Sequence, residues 1–73
     1  MDGRDAVRKI VADFTTPPAN DDEPFEVESL VRIQIVEAVE DAFGLVVSAD
    51  ELTPERFATV AAIARFVAEK KGA

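Results

Sequence analysis

The chain has 73 residues, enough for one small domain, and it contains no cysteine, histidine, tryptophan or tyrosine. The missing cysteine excludes a disulfide scaffold, a thiol nucleophile and a thiolate metal site, and the missing histidine removes the commonest general base. Hydrophobic residues make up 48% of the chain, which predicts a folded core. No apolar run approaches the roughly 20 residues that a bilayer span needs, so we expect a cytoplasmic protein without membrane attachment.

Acidic residues are concentrated in the middle of the chain. The whole chain has 15 acids and 8 bases, a net charge of −7. Residues 15–51 contain ten of these acids and a single base, Arg32, whereas residues 1–14 are neutral and residues 52–73 have a net charge of +2. Because contact with phosphates needs a basic face, nucleic-acid binding is not expected. The acidic middle would attract basic protein surfaces, although acidity that only confers solubility would look the same.

The first predicted helix is short. Val7, Ile10, Val11 and Phe14 have the i, i+3, i+4, i+7 spacing of an amphipathic helix. The helix is expected to stop in the Thr-Thr-Pro-Pro sequence at 15–18, because proline lacks the amide donor and disfavours helix in the residue before it.

A linker follows, and its charges and prolines predict an irregular, solvated segment from Asn20 to Pro24. The acidic run from Asp21 to Glu23 is of the residue type that binds hard cations, but it lacks the alternating pattern and central glycine of a calcium loop. A solvated linker is favoured over a cation site, and no metal site is predicted.

A second helix is predicted from about Ser29 to Phe43, with Ser29 as its N-cap and Gly44 as its C-terminal stop. Arg32 falls on the core side of this helix, and its side chain is expected to extend outward to solvent. At about 100° per residue, the core face comprises the following residues: Val31, Ile35, Val36, Ala38, Val39, Ala42 and Phe43.

The opposite side of this helix combines two aliphatic side chains with acidic and polar ones: Leu30, Ile33, Gln34, Glu37, Glu40 and Asp41. An apolar spot with an acidic rim is typical of a protein-binding surface. Single exposed aliphatic residues are also common on surfaces that bind nothing, so the residues alone leave both interpretations open.

Two further helices are predicted, a one-turn helix over Pro54–Phe57 and a last helix capped by Thr59 and ended by Gly72. No strand is predicted, so the fold class is all-α, with three main helices and one short helix. The core is expected to contain one apolar stripe from each main helix: Phe14, Ile35, Val39, Phe43, Val60, Ile63 and Val67.

Catalysis by the chain itself is not expected. Its serine and threonine hydroxyls have no histidine partner, and no lysine lies in an apolar setting that would activate it. The sequence therefore predicts no catalytic residue.

Three segments resemble the acyl carrier protein family: residues 25–30 (Phe-Glu-Val-Glu-Ser-Leu), residues 39–44 (Val-Glu-Asp-Ala-Phe-Gly) and residues 51–63. In that family a Leu-Gly-X-Asp-Ser-Leu motif opens the second helix, and its serine carries 4′-phosphopantetheine. Ser29 takes the position of that serine. Glu28 replaces the family's aspartate and Glu26 its glycine, which favours a specialised pathway, such as polyketide or nonribosomal peptide assembly, over primary fatty acid synthesis.

The resemblance implies an acyl-carrier-like four-helix bundle forming a single carrier domain over residues 1–73. It implies a covalent 4′-phosphopantetheine on Ser29 and partner contacts through these residues: Glu28, Leu30, Ile33, Gln34, Glu37, Glu40 and Asp41. The expected partners are a phosphopantetheinyl transferase, a loading acyltransferase or adenylating enzyme, and a downstream acyl-transferring enzyme. A chain that starts at Met1 and ends at Ala73 favours a free-standing carrier, although an excised domain could look the same. The carrier alone is expected to be a monomer. The alternative is an unmodified helical adaptor that binds a basic partner through the acidic second helix.

Overall fold

The computed structural model describes residues 3–72, in which four α-helices follow one another. Their bounds are α1 Gly3–Ala12, α2 Ser29–Phe43, α3 Pro54–Phe57 and α4 Val60–Gly72, and a 3₁₀ turn at Ala49–Glu51 precedes α3. No strand occurs within the described range, so the predicted all-α architecture with three main helices and one short helix is confirmed. None of these helices has the length and apolar character needed to cross a bilayer.

The helices pack around one apolar core. α1 lies against both α4 and α2, and α3 lies against α4. Every main helix contributes to the core, together with α3 and one loop residue: Val7, Val11, Phe25, Ile35, Val36, Val39, Phe57, Val60, Ala61, Ile63, Phe66 and Val67. Of the seven predicted core residues, five are confirmed as buried: Ile35, Val39, Val60, Ile63 and Val67.

Three expectations about burial are wrong. Phe14 is 38% exposed, because α1 ends at Ala12 and the amide of Phe14 donates to the carbonyl of Val11 in a tighter i to i−3 turn, which moves the ring off the apolar stripe. Phe43 is half-buried at the edge of the core, because it is the last residue of α2. Ala42 was placed on the core face but is exposed.

The linker between α1 and α2 is irregular, and four of its five residues from Asn20 to Pro24 are exposed, as predicted. It is also held against the helices by specific contacts. Arg8 Nη1 lies 2.6 Å from Asp21 Oδ1, and the Ala61 amide donates to the Asp21 carbonyl at 2.9 Å. The Phe25 amide donates to the Ala58 carbonyl at 3.1 Å, and the Phe25 side chain is only 4% exposed. The linker is therefore bound to the start of α4 and the end of α3, and residues 3–72 contain no acidic cluster able to hold a metal ion.

The C-terminal end of α2 is held by several hydrogen bonds. Gly44 has φ 65° and is the C-cap residue that the sequence predicted, with its amide donating to the Glu40 carbonyl. The Lys71 ammonium donates to the Phe43 carbonyl at 2.8 Å. The Val47 amide donates to Glu40 Oε2 at 2.8 Å, which fixes the loop that follows the helix.

The segment between Gly44 and α3 is attached to α4 by an ion pair. Lys70 Nζ lies 2.9 Å from Glu51 Oε1, and the same carboxylate accepts hydrogen bonds from the amide and hydroxyl of Ser48. The hydrogen bond from Lys70, followed by that from the Ser48 amide, lowers the pKa of Glu51 to about 2. The sequence predicted no 3₁₀ turn here, but it correctly placed Thr59 as a cap, since its Oγ1 accepts from the Ala62 amide at 2.9 Å.

Candidate functional site

Ser29 is the first helical residue of α2 and not, as predicted, its N-cap. Glu28 is the N-cap, with extended backbone angles of φ −66° and ψ 156°, and its side chain makes no capping hydrogen bond. The first bond of the helix runs from the Arg32 amide to the Glu28 carbonyl at 3.0 Å. Within residues 3–72, the exposed Ser29 hydroxyl therefore has no structural partner to lose if it is modified.

The backbone at this helix start favours an anion. The amides of residues 29–31 precede the first i to i−4 hydrogen bond of α2, so the helix itself leaves them without an acceptor. These amides and the aligned peptide dipoles give the end of a 15-residue helix a partial positive charge. A phosphate ester on the Ser29 hydroxyl would lie at this end.

A groove of about 380 Å³ runs alongside Ser29. One wall is the loop from Pro24 to Glu26, and the other is formed by the segment from Leu52 to Pro54. Ile33, Val36 and Phe57 supply apolar surface between these walls, and Phe57 is only 1% exposed. The groove therefore presents apolar surface next to the Ser29 hydroxyl.

Arg32 lines this groove, and the prediction that it extends outward is wrong. Its side chain is half-buried, and its Nη1 donates to the Phe57 carbonyl at 2.5 Å. Its Nη2 donates to the Phe25 carbonyl at 3.2 Å, and the guanidinium carbon lies 5.1 Å from the centre of the Phe25 ring. These carbonyls draw the side chain inward, so that Arg32 joins α2 to the linker and to α3.

Most of the predicted partner-binding residues are exposed along one side of α2. Leu30 is 66% exposed and Ile33 46%. The polar members of this set that are also exposed are Glu28, Gln34, Glu37 and Asp41. The spacing of three or four residues between successive members makes them neighbours along the helix, so Leu30 and Ile33 lie beside a carboxylate-bearing strip.

Glu40 differs from the other members of the predicted set. It is half-buried, and its carboxylate is held by the Val47 amide. One of its two carboxylate oxygens is therefore already used to position the loop after α2. In the predicted set, the exposed carboxylates that form no such bond with the described residues are those of Glu28, Glu37 and Asp41.

Sequence reasoning missed three parts of the site, namely the inward side chain of Arg32, the buried ring of Phe25 and the wall formed by residues 52–54. All three depend on contacts between segments distant in the chain, such as the bond from Arg32 to Phe57. One signal was present, because Arg32 is the only base among residues 15–51 and falls on the core side of α2.

The family described as phosphopantetheine attachment site matches residues 5–67, which is most of the chain. No curated protein and no solved structure matches the chain significantly. The matched range contains α2, the groove and every buried core residue.

The residues at the start of α2 fit a phosphopantetheine group. The hydroxyl of Ser29 is exposed, the helix start favours the negative charge of a phosphodiester, and the adjoining groove offers apolar surface from Ile33, Val36 and Phe57. The sequence match and the helical bundle agree with the resemblance to acyl carrier proteins. The chain belongs to the phosphopantetheine attachment site family, and this membership implies a covalently attached 4′-phosphopantetheine.

Proposed function

We propose that the chain is a single carrier domain over residues 1–73, with 4′-phosphopantetheine esterified to Ser29 and acyl or aminoacyl groups carried as thioesters. The observation that carries this proposal is the exposed hydroxyl of Ser29 at the first position of α2, beside the groove. The family match supports the cofactor. The position of Ser29 supports this residue as its site.

The composition indicates which chemistry the arm supplies and which role is left to the chain. The chain has no cysteine, so the arm supplies the thiol on which a thioester forms. A flexible arm presents its thioester to successive enzymes at high effective concentration, because the carrier and the enzyme are already bound. Carrier domains of this family are not themselves catalytic, and we propose the same for this chain, whose contribution is to hold the arm and be recognised.

The exposed side of α2 is the proposed recognition surface. Leu30 and Ile33 supply an apolar spot, and Glu37 and Asp41 supply charge around it. An enzyme that binds here would present arginine and lysine around an apolar patch. A contact of this size would be small, which suits partners that must also release the carrier.

The proposed partners are a phosphopantetheinyl transferase, a loading acyltransferase or adenylating enzyme, and a downstream acyl-transferring enzyme, all in the cytoplasm, with the carrier itself a monomer. Glu26 and Glu28, which replace the glycine and aspartate of the acyl carrier motif, favour a polyketide or nonribosomal peptide pathway. Fatty acid synthesis is the other pathway open to a carrier of this type.

The test is the intact mass of the chain after coexpression with a broad-specificity phosphopantetheinyl transferase. The wild-type chain should gain the mass of one arm, and Ser29→Ala should gain none. Ser48→Ala is the matched control, because that hydroxyl already donates to the Glu51 carboxylate, and it should be modified like the wild type. An arm on Ser29→Ala would show that another hydroxyl carries it.

The same experiment separates the carrier from the unmodified adaptor. If the folded wild-type chain gains no arm from any of several transferases yet binds a basic partner through α2, the adaptor replaces the carrier.

A further inference from the structure

Arg32 carries a positive charge that no carboxylate neutralises. No acidic side chain within residues 3–72 forms an ion pair with it, and both of its hydrogen-bond acceptors are neutral backbone carbonyls, those of Phe25 and Phe57. Charged side chains that are withdrawn from water are usually paired with an opposite charge. The half-buried guanidinium is therefore suited to receive an anion.

The hydrogen bonds of Arg32 leave donors available for that anion. A guanidinium has five N–H donors, and the structure uses one on Nη1 and one on Nη2. Two donors on these atoms and the one on Nε have no acceptor among residues 3–72. Arg32 can thus keep both carbonyl bonds and still donate to an oxyanion in the groove.

Ser29 and Arg32 are close enough for this contact. They are three residues apart in α2, which places them on the same side of the helix with about 5–6 Å between their Cβ atoms. Both line the same groove. The phosphodiester of an arm on Ser29 would be the nearest anion to Arg32.

The surrounding charges make such a contact valuable. Glu26 and Glu28 are exposed in the segment just before Ser29, and they would repel a phosphodiester on its hydroxyl. Arg32 is the only base in residues 15–51 that could offset them. A charge-assisted bond from a guanidinium to a phosphate oxygen is stronger than a neutral hydrogen bond.

We propose that Arg32 is a positioning residue that binds the phosphodiester of the arm and directs the first part of the arm along the groove, an inference that rests on the proposed modification of Ser29. The arm then leaves the helix start over Ile33 and toward residues 52–54. Its far end stays free to reach partner enzymes.

The test compares apo and modified protein for the wild type, Arg32→Met, Arg32→Lys and Arg56→Met. Arg56 is the matched control, because it also bonds a backbone carbonyl and lies over a ring, those of Asp50 and Phe66, but does not line the groove. The measurements are the ³¹P chemical shift of the phosphodiester and the change in Tm on modification, each at low and high salt.

In the wild type, the ³¹P shift should differ from that of the same arm on a short unfolded peptide, and the difference should shrink at high salt. Arg32→Met should lose the difference and lower the Tm change on modification, Arg32→Lys should retain part of both, and Arg56→Met should match the wild type. If Arg32→Met does not fold, the Nε–H NMR signal of Arg32 in the wild type replaces it and should move on modification more than that of Arg56.

Equal ³¹P shifts in the wild type and the peptide, or an unmoved Arg32 signal, would overturn the role of Arg32 alone. An intact mass without the arm would overturn the proposed function and this inference together, so the two failures are distinguishable.

Discussion

The two ends of α2 are built differently. At the C-terminal end, Gly44 closes the helix, Lys71 bonds the last carbonyl, and the Glu40 carboxylate holds the next loop. At the N-terminal end, Glu28 caps only with its backbone and Ser29 is exposed. Polar side chains at the C-terminal end form hydrogen bonds within the fold, whereas Glu28 and Ser29 at the N-terminal end remain available to a ligand.

The apolar residues at the two ends of α2 also differ, in how much of their surface is buried. Leu30, in the first turn of α2, is 66% exposed, although burying an aliphatic side chain of this size is worth about 1.5–3 kcal/mol. Phe43, in the last turn, packs against the edge of the core. The fold thus leaves unburied, at the N-terminal end, apolar surface that a partner can cover.

The largest expected loss of stability comes from a buried ring near the N-terminal end of α2. Phe57 lies in the floor of the groove, is 1% exposed, and its ring centre lies 5.4 Å from that of Phe66. Phe57→Ala should reduce the free energy of unfolding by about 3–5 kcal/mol. Phe14→Ala, at the exposed ring, should cost far less. Urea denaturation of both variants measures this difference, and similar losses would mean that the site is not built on a rigid core.

Substitutions at the two ends of α2 should differ in their effect on stability. Gly44→Ala should destabilise the protein by about 1–2 kcal/mol, because φ 65° is unfavourable for a residue with a Cβ atom. Apart from the glycine and its two chain neighbours, no heavy atom lies within 4 Å of the added Cβ, so the cost comes from the backbone alone.

Ser29→Ala should change stability by about 0.5 kcal/mol or less, because its hydroxyl caps nothing in the folded chain. The expectation from its predicted N-cap position would be a loss of about 1 kcal/mol. Thermal melts of the two variants distinguish these cases. A Ser29→Ala loss as large as that of Gly44→Ala would show that the hydroxyl has a structural role.

The stability of the protein at low pH should depend on the ion pair between Glu51 and Lys70, which attaches the segment after α2 to α4. The pKa of Glu51 is lowered from 4.5 to about 2, chiefly by Lys70, so the stabilisation is complete above pH 4.5 and is lost as the pH falls through 2. Glu51→Gln should therefore lower Tm at neutral pH, and its Tm should approach that of the wild type as the pH falls from 4.5 to 2.

Glu55→Gln is the control for this pH series, because Glu55 is exposed on α3 and its carboxylate accepts no hydrogen bond within residues 3–72. Its Tm should follow that of the wild type at every pH. A Glu51→Gln difference that does not change with pH would contradict the assignment of the ion pair.

The sequence predicted the local features of this molecule better than the long-range ones. Local sequence reasoning, from capping residues and helix periodicity, placed α2 at its observed bounds and found the exposure of Leu30 and Ile33, because both depend on local geometry. It missed the inward position of Arg32, because the acceptor carbonyl of Phe57 is 25 residues away. It also missed the burial of Phe25, which depends on the packing of the linker against α3 and α4.

The capping error at Ser29 has a different origin. Serine is a preferred N-cap type, so residue preference favoured Ser29 over Glu28. The backbone of Glu28 is extended and Ser29 is already helical, which moves the cap by one residue and leaves the hydroxyl exposed. A departure from the local preference therefore falls on the residue proposed to carry the arm.

The central claim is that partner enzymes bind the exposed side of α2 near Ser29. Its most direct test is the rate at which a phosphopantetheinyl transferase modifies two charge-reversal variants. Glu37→Lys lies on that side and Glu69→Lys lies on α4; both residues are exposed, and both changes alter the net charge equally. Glu37→Lys should lower kcat/KM for transfer from coenzyme A and weaken its dependence on salt, because rim charges act mainly on encounter. Glu69→Lys should stay near the wild type. Equal losses in the two variants would mean that net charge alone governs recognition, and would contradict the account.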